Sequence, residues 1–267
     1  MGWKMSDAEQ NDRPHNSNGF LIPFISHYTV FKMVSGSDRF TPGGKFYLIT
    51  AVGAVSGLVT ALLLFIALTI EGFFDRCEPL NAIICALVPI AIYGFSTLGG
   101  FARTFDRLFP DQKRGDGLGI AGIAGIIAMI VFMYSMYSMI GPNLALVVLP
   151  TIEISAAVAL VAGAAFGFSN IVSMPKPDIT DIVMSLIFGI VFMAIIVSIF
   201  MVAGGYFETM FLLMGVLTIV ISLVIGILLG KISDRFLGNM DEDITMGFIE
   251  VCRPLLFLVI IVLFFLL

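Results

Sequence analysis

Residues 96–125 decide the fold prediction, because they place a dense group of charges between two apolar runs: STLGGFARTFDRLFPDQKRGDGLGIAGIAG. Apolar runs of about 20 residues are long enough to cross a bilayer as helices. We therefore expect a polar hairpin between two membrane spans here. Its charged residues are Arg103, Asp106, Arg107, Asp111, Lys113, Arg114 and Asp116.

The composition is that of an integral membrane protein. Hydrophobic residues make up 59% of the 267-residue chain and charged residues 12%, whereas soluble domains carry about 25% charged residues. We expect an all-α fold, a polytopic helical bundle in the lipid bilayer with about seven transmembrane helices and an N-terminal interfacial helix. The net charge of −5 argues against nucleic acid as a partner, and the sequence leaves homo-oligomerisation open.

The chain divides into three predicted segments. Residues 1–18 are polar and are expected to be disordered, without a removable signal peptide. Residues 19–45 are expected to form an interfacial helix and a loop, because their apolar part is short and contains Pro23 and His27. Residues 46–267 are expected to form the transmembrane domain. Its predicted spans are 46–70, 79–100, 118–140, 143–170, 179–204, 206–230 and 247–267.

The lysines and arginines predict the orientation. If the N-terminus is cytoplasmic, only Arg76 of the 14 Lys and Arg residues lies outside, and Arg253 is counted with the cytoplasmic residues. We therefore expect a multi-pass protein of the cell membrane with cytoplasmic loops at 101–117 and 231–246. Polar surface on one side favours chemistry or binding there, without excluding transport.

The charged stretch has two interpretations. At helical spacing, Arg103, Asp106 and Arg107 share a face, so the arginines could bind phosphate and the acid a metal. Alternatively, Asp106 pairs with Arg103 and the arginines follow the positive-inside rule. Residue types alone favour this second interpretation.

The next stretch, GLGIAG at 117–122, matches G-x-G-x-x-G, but a dinucleotide fingerprint needs a preceding strand. Gly119, Gly122 and Gly125 are more typical of close packing between spans. Asp116 and these glycines nevertheless lie at a predicted helix N-terminus, where phosphate binds readily.

Acidic residues suggest two further sites. Asp241, Glu242 and Asp243 precede the last span, and Asp243 shares a helix face with Glu250. Helix capping and a divalent-metal site are equally favoured explanations. Glu153 lies near the middle of the fourth span, where an ionisable residue predicts function.

The order and spacing of these stretches resemble the cobalamin synthase family, adenosylcobinamide-GDP ribazoletransferase. That family has a motif close to H-x-D-G-x-x-D-x-x-D-G, a loop ending near K-D-x-R-x-G, and a late G-x-x-G-D-x-x-G pattern followed by a glutamate. The corresponding stretches here are TLGGFARTFDRLF, KRGDGLGIAGI and LGNMDEDITMGFIE. Thr97 stands at the histidine of the first motif, and Gly99 and Arg103 stand at two of its aspartates.

The resemblance implies a membrane-bound transferase of late cobalamin biosynthesis. Such an enzyme joins adenosylcobinamide-GDP to α-ribazole or its 5′-phosphate and releases GMP, so the implied partners are corrinoid and nucleoside substrates. Mg²⁺ would neutralise the pyrophosphate. The implied residues are catalytic Asp106, Asp116 and Asp243, phosphate-binding Arg103, Arg107 and Arg114, and metal-binding Asp106, Asp243 and Glu250.

The alternative is a catalytically inactive or transport-type membrane protein on the same scaffold. This alternative predicts that Glu153 matters more for function than the loop acids, and that the protein does not bind a divalent metal.

Overall fold

A computed structural model describes residues 21–31, 45–70, 78–110, 117–168, 176–204, 208–238 and 242–266. All of the regular structure in these ranges is helical. A short 3₁₀ turn, Phe46–Leu48, leads into α2, and a π-helical turn, Gly163–Gly167, extends α6. The helices are α1 (Leu21–Tyr28), α2 (Ile49–Thr69), α3 (Glu78–Ile92), α4 (Ser96–Leu108), α5 (Ile120–Ser138), α6 (Pro142–Ala162), α7 (Ile179–Ala203), α8 (Thr209–Leu237) and α9 (Glu242–Leu266).

The predicted all-α polytopic membrane fold is confirmed. Within the described ranges, 6 helices are long and apolar enough to cross a membrane, and a bent pair of helices would make a seventh crossing. The six are Phe46–Thr69, Ile120–Ser138, Asn143–Gly167, Ile179–Ala203, Thr209–Leu237 and Thr245–Leu266.

The span predicted at 79–100 is not one continuous helix. Two helices, α3 and α4, occupy this region and are bent by 88° relative to each other. Gly94 and Phe95 have φ values of 62° and 61°, which a right-handed helix cannot include. We call residues 93–95 the elbow.

The bent pair nevertheless connects opposite ends of the bundle. Asn81 of α3 lines a cavity with Tyr137, near the last turn of α5, whereas Asp106 of α4 is hydrogen-bonded to Gly119 at the start of α5. The 19 residues of α5 separate these points by about 28 Å at 1.5 Å per residue. We call the end that contains α4 the α4 end, and the opposite end the far end.

The central helix of the bundle is α6, which packs against α2, α7, α8 and α9. Close packing of α2 requires glycine. A Cβ atom at Gly53 would lie 2.6 Å from the carbonyl oxygen of Glu153, and one at Gly57 would lie 2.7 Å from Cα of Pro150. Small residues of this kind allow membrane helices to approach closely, and here they bring α2 beside Glu153.

Two predicted loops are partly helical. α4 is an amphipathic helix that packs on α9 and α5 and occupies residues 101–108 of the loop predicted at 101–117. α8 continues to Leu237, so the loop predicted at 231–246 is also shorter. The helix predicted within 19–45 is present as α1, and the predicted disorder of 1–18 lies outside the described residues.

Candidate functional site

Three charged side chains meet in the interior of the bundle. Glu153 comes from the middle of α6, and Glu250 and Arg253 come from α9. Their exposed fractions are 0%, 0% and 2%, so all three are removed from solvent and lipid. We call these three residues the ionic centre.

Arg253 joins the two glutamates. Its Nη2 atom lies 2.7 Å from Oε2 of Glu153, and its Nη1 atom lies 2.5 Å from Oε1 of Glu250. Glu250 and Arg253 are three residues apart, which places them on the same face of α9. The planar guanidinium suits this arrangement, because its donors are held in a fixed fork.

Two hydroxyl groups add hydrogen bonds to the glutamates. Ser56 of α2 donates to Oε2 of Glu153 at 3.0 Å, and Thr97 of α4 donates to Oε1 of Glu250 at 2.5 Å. Both hydroxyl-bearing residues are fully buried. Four helices, α2, α4, α6 and α9, therefore contribute to the centre.

The elbow positions Tyr93 and Thr97 over the centre. The guanidinium carbon of Arg253 lies 5.5 Å from the centroid of the Tyr93 ring, within the range of a cation–π interaction. α4 reaches α9 because Gly247 has no side chain: a Cβ atom there would collide with the backbone of Gly100 and Phe101. The bend at residues 93–95 therefore places one aromatic and one hydroxyl group beside Arg253 and Glu250.

Several polar atoms of the centre have no hydrogen-bond partner among the described residues. These atoms are Oε1 of Glu153, Oε2 of Glu250 and Nε of Arg253, and the hydroxyl of Tyr93 beside the centre is likewise without a partner in the described part of the chain. In addition, Pro254 has no N–H and cannot bond the backbone carbonyl of Glu250 one turn earlier. The centre thus contains oxygen atoms that can accept a proton or bind a small cation.

Asp106 has a different environment from the ionic centre. Its Oδ2 accepts a hydrogen bond from the N–H of Gly119, and its Oδ1 accepts one from the N–H of Gly122, both at 2.7 Å. A carboxylate at the N-terminus of a helix satisfies free N–H groups and complements the helix dipole. Asp106 therefore caps α5 from α4.

The predicted metal site does not form from the described carboxylates. Thr97 contacts Glu250, and Asp106 is nine residues farther along α4, about 13 Å at 1.5 Å per residue. Asp106 and Glu250 therefore cannot bind the same ion, and the described residues contain no group of three His, Cys, Asp or Glu side chains that could hold a metal. The third predicted ligand, Asp243, has a side chain outside the described residues, so Mg²⁺ binding that involves Asp243 stays a prediction.

The other predicted residues are placed as follows. Arg103 and Arg107 are exposed on α4, one turn apart. Arg114 and Asp116 lie outside the described residues. The backbone of Asp243 belongs to the first turn of α9, but its side chain lies outside the description.

The assignment of Arg253 to the cytoplasmic side was wrong, because the residue lies in the interior of the bundle. The sequence contains a signal that could have found it. Arg253 and Glu250 both fall within the predicted span 247–267, and Glu153 falls within another span. Charges of opposite sign in two membrane spans are expected to pair, because an unpaired charge is costly there.

These features define the class of the protein: a polytopic α-helical membrane protein with an ion-pair network in the interior of the bundle. Comparisons with protein-family models, with curated proteins and with solved structures found no match.

Proposed function

We propose that this protein is a transport-type membrane protein in which the ionic centre binds and releases one proton or one monovalent cation. The observation that supports the proposal is the charge balance of the centre. Two carboxyl groups share one guanidinium, so the ionised centre carries one uncompensated negative charge.

An uncompensated charge in this environment is expensive. Burying an ion without a partner costs several kcal/mol even after relaxation, and the centre is buried inside the bundle, with Glu153 in the middle of α6 and Glu250 and Arg253 in the first half of α9. One added positive charge neutralises the centre, whereas a divalent ion would leave it with an excess of positive charge. The ligand that this argument favours is therefore a proton or an ion such as Na⁺.

The atoms that would accept this charge are the free carboxylate oxygens. Oε1 of Glu153 and Oε2 of Glu250 have no partner among the described residues, and the Glu250 carbonyl is released by Pro254. Hard cations prefer oxygen ligands, and either carboxyl can take a proton. The remaining oxygens are already bonded to Arg253, Ser56 or Thr97.

Charge distribution supports an orientation with the α4 end in the cytoplasm. Lys45, Arg103, Arg107, Lys231 and Arg235 all belong to segments at that end, as the positive-inside rule requires. In the proposal, the N-terminal side of α2 is cytoplasmic and the membrane is the cell membrane.

The test is ion flux into proteoliposomes. A potassium diffusion potential set with valinomycin drives uptake, which is followed with an internal pH dye in one arm and a Na⁺ dye in the other. We expect protein-dependent uptake in one arm and a decrease of about tenfold or more in Glu153→Gln, because the intramembrane carboxylate is removed. Glu208→Gln is the matched control, since Glu208 is exposed at the far end and its side chain makes no capping bond.

Two results would refute the transport proposal. One is uptake in neither arm above that of protein-free vesicles. The other is an unchanged flux in Glu153→Gln, which would show that ions cross without using the centre.

The ribazoletransferase predicted from the resemblance is a second candidate. It is favoured by the two exposed arginines of α4, Arg103 and Arg107, which form a basic surface at the end that the charge rule places in the cytoplasm. With Asp106 capping α5, the acids left for substrate contact are Asp116 and Asp243.

The transferase is tested by turnover. Purified protein receives adenosylcobinamide-GDP, α-ribazole 5′-phosphate and magnesium, and mass spectrometry follows the cobamide product and GMP. The transferase prediction requires product that decreases in Asp116→Asn and Asp243→Asn. If no product forms under conditions in which an enzyme with the complete acidic motif turns over, the prediction fails.

A further inference from the structure

A polar cavity opens at the far end of the bundle, between α3, α5 and the start of α6. It has a volume of about 290 Å³, enough for several water molecules, each of which occupies about 30 Å³ in the liquid. Its polar lining comes from Asn81, Tyr134, Tyr137 and Ser138, and Ala145 of α6 lines it on the side toward the bundle axis.

Two buried polar atoms of this cavity have no partner among the described residues. They are Oδ1 of Asn81 and the hydroxyl of Tyr137, on residues that are 8% and 3% exposed. A buried polar atom left without a hydrogen bond costs about 1–3 kcal/mol. Both residues line the cavity, and a small rotation of either side chain toward it would let water remove that cost, so the cavity is suited to be hydrated.

Tyr137 also marks the inner boundary of the cavity, toward the ionic centre. Its ring packs edge-on against Phe257, with centroids 5.3 Å apart. Phe257 follows Arg253 by one helical turn, about 6 Å along the axis of α9. On α6, the cavity residue Ala145 precedes Glu153 by eight residues, about 12 Å along the axis. Along the bundle axis, the aromatic pair of Tyr137 and Phe257 therefore lies between the cavity and the ionic centre.

We infer that the far-end cavity is the hydrated access route by which the proton or monovalent cation reaches the ionic centre, and that Tyr137 supplies the hydroxyl between them. This inference rests on the proposed function. The ligands of the cavity are then water and a small cation, and Tyr137 and Phe257 form the barrier between the cavity and the ionic centre.

The first test separates access from binding. Infrared spectra of the carboxyl groups give the equilibrium titration of the ionic centre. The same signal, followed after a rapid jump in pH or Na⁺ concentration, gives the rate at which the centre exchanges protons or Na⁺ with the solution. In Tyr137→Phe we expect an unchanged equilibrium titration and an exchange rate lowered by about tenfold or more, since positioned proton-transfer groups typically contribute at least this much. Tyr47→Phe, which loses the same hydroxyl at the α4 end, should exchange at the rate of the unmodified protein.

The second test blocks the cavity after folding. Ser138→Cys, made with Cys77 and Cys85 changed to serine, is modified with a bulky thiosulfonate, and exchange is measured before and after modification. Ser138 lines the cavity. Ser135, also exposed on α5, does not line it, so Ser135→Cys is the control. The inference is supported if modification slows ion exchange in Ser138→Cys but not in Ser135→Cys.

The outcomes distinguish this inference from the proposed function. If the centre titrates normally but neither Tyr137→Phe nor the block changes the rate, the access route is wrong and the proposed function stands. If the centre does not titrate with pH or Na⁺ at all, both are overturned.

Discussion

At the scale of single residues, Arg253 is the side chain on which the ionic centre depends. It is the cation shared by Glu153 and Glu250, and it is almost completely buried. Its removal would leave two carboxyl groups without a cation, whereas removal of Glu153 would leave one glutamate paired with one arginine. Removing Arg253 and removing Glu153 should therefore lower the free energy of unfolding by different amounts, although both break the ion pair between these two residues.

We expect Arg253→Met to lower the free energy of unfolding by about 3–5 kcal/mol, the range for breaking a buried pair. Glu153→Gln should cost less. The measurement is thermal unfolding in detergent, with exposed Arg107→Met as the matched control. A midpoint for Arg253→Met equal to that of Arg107→Met would show that the centre does not stabilise the bundle.

Asp106 is expected to stabilise the protein as a helix cap. Asp106→Ala removes two hydrogen bonds to the N-terminus of α5, and hydrogen bonds to charged groups contribute about 1.5–3 kcal/mol each. Thermal unfolding should show a larger loss than Asp178→Ala, which removes a single bond from the start of α7. If Asp106→Ala keeps full stability but abolishes turnover of the corrinoid substrates, Asp106 is a reacting group and not a cap.

At the scale of helices, the crossing of α4 over α9 places Thr97 of α4 and Tyr93 of the elbow beside the ionic centre. The crossing is close because Gly247 lies directly against the backbone of Gly100 and Phe101. A larger residue at 247 would push α4 away and lengthen the contact between Thr97 and Glu250. Packing of this crossing is thus coupled to the hydrogen bonding of Glu250.

We expect Gly247→Ala to destabilise the protein by about 1–3 kcal/mol, as overpacking of a tight contact does. Gly99→Ala is the matched control on the other helix, because a Cβ atom there meets nothing within 4 Å. That change should be neutral or stabilising by up to about 1 kcal/mol through helix propensity. Equal unfolding midpoints for the two variants would contradict the close crossing.

The span helices could be predicted from sequence because their signal is local. The runs in α2, α5, α7 and α8 are long, apolar and bounded by glycine or polar residues, and the predicted spans agree with these helices to within a few residues, except that α8 extends to Leu237. The elbow has no comparable signal. Residues 79–100 are almost uniformly apolar, and the bend depends on the left-handed backbone at Gly94 and Phe95.

The candidate site was predicted only in part, for a similar reason. Glu153 was identified because an acid within an apolar run is visible in the sequence. Its partner lies 100 residues away, and only the packing of α6 against α9 brings the two together. The same holds for Asp106, whose cap on Gly119 and Gly122 depends on the position of α4 beside α5.

At the scale of the whole molecule, the bent pair determines the topology. If α3 and α4 together make one crossing, the chain crosses the membrane seven times, and the start of α2 and the end of α9 lie on opposite sides. If α3 and α4 instead entered and left the membrane on the same side, the start of α2 and the end of α9 would lie on one side. Asn81 lines a cavity with Tyr137 at the end of α5, whereas Asp106 is bonded to Gly119 at the start of α5. These contacts at opposite ends of α5 support the first arrangement.

We therefore expect single cysteines at Lys45 and Leu266 to be labelled from opposite sides of sealed vesicles. The experiment uses a membrane-impermeant thiol reagent and a background in which the native cysteines are serine. Ser138→Cys should label from the same side as Leu266→Cys. Labelling of Lys45→Cys and Leu266→Cys from one side would contradict seven crossings.

The most direct test of the central claim is an infrared titration of the carboxyl groups in the purified protein, as a function of pH in one series and of Na⁺ in another. The charge balance predicts that one carboxyl signal changes with proton or Na⁺ binding, and that the change disappears in both Glu153→Gln and Glu250→Gln but persists in Glu208→Gln. If the signals of Glu153 and Glu250 stay constant in both series, the centre is a fixed structural ion pair that binds neither a proton nor Na⁺.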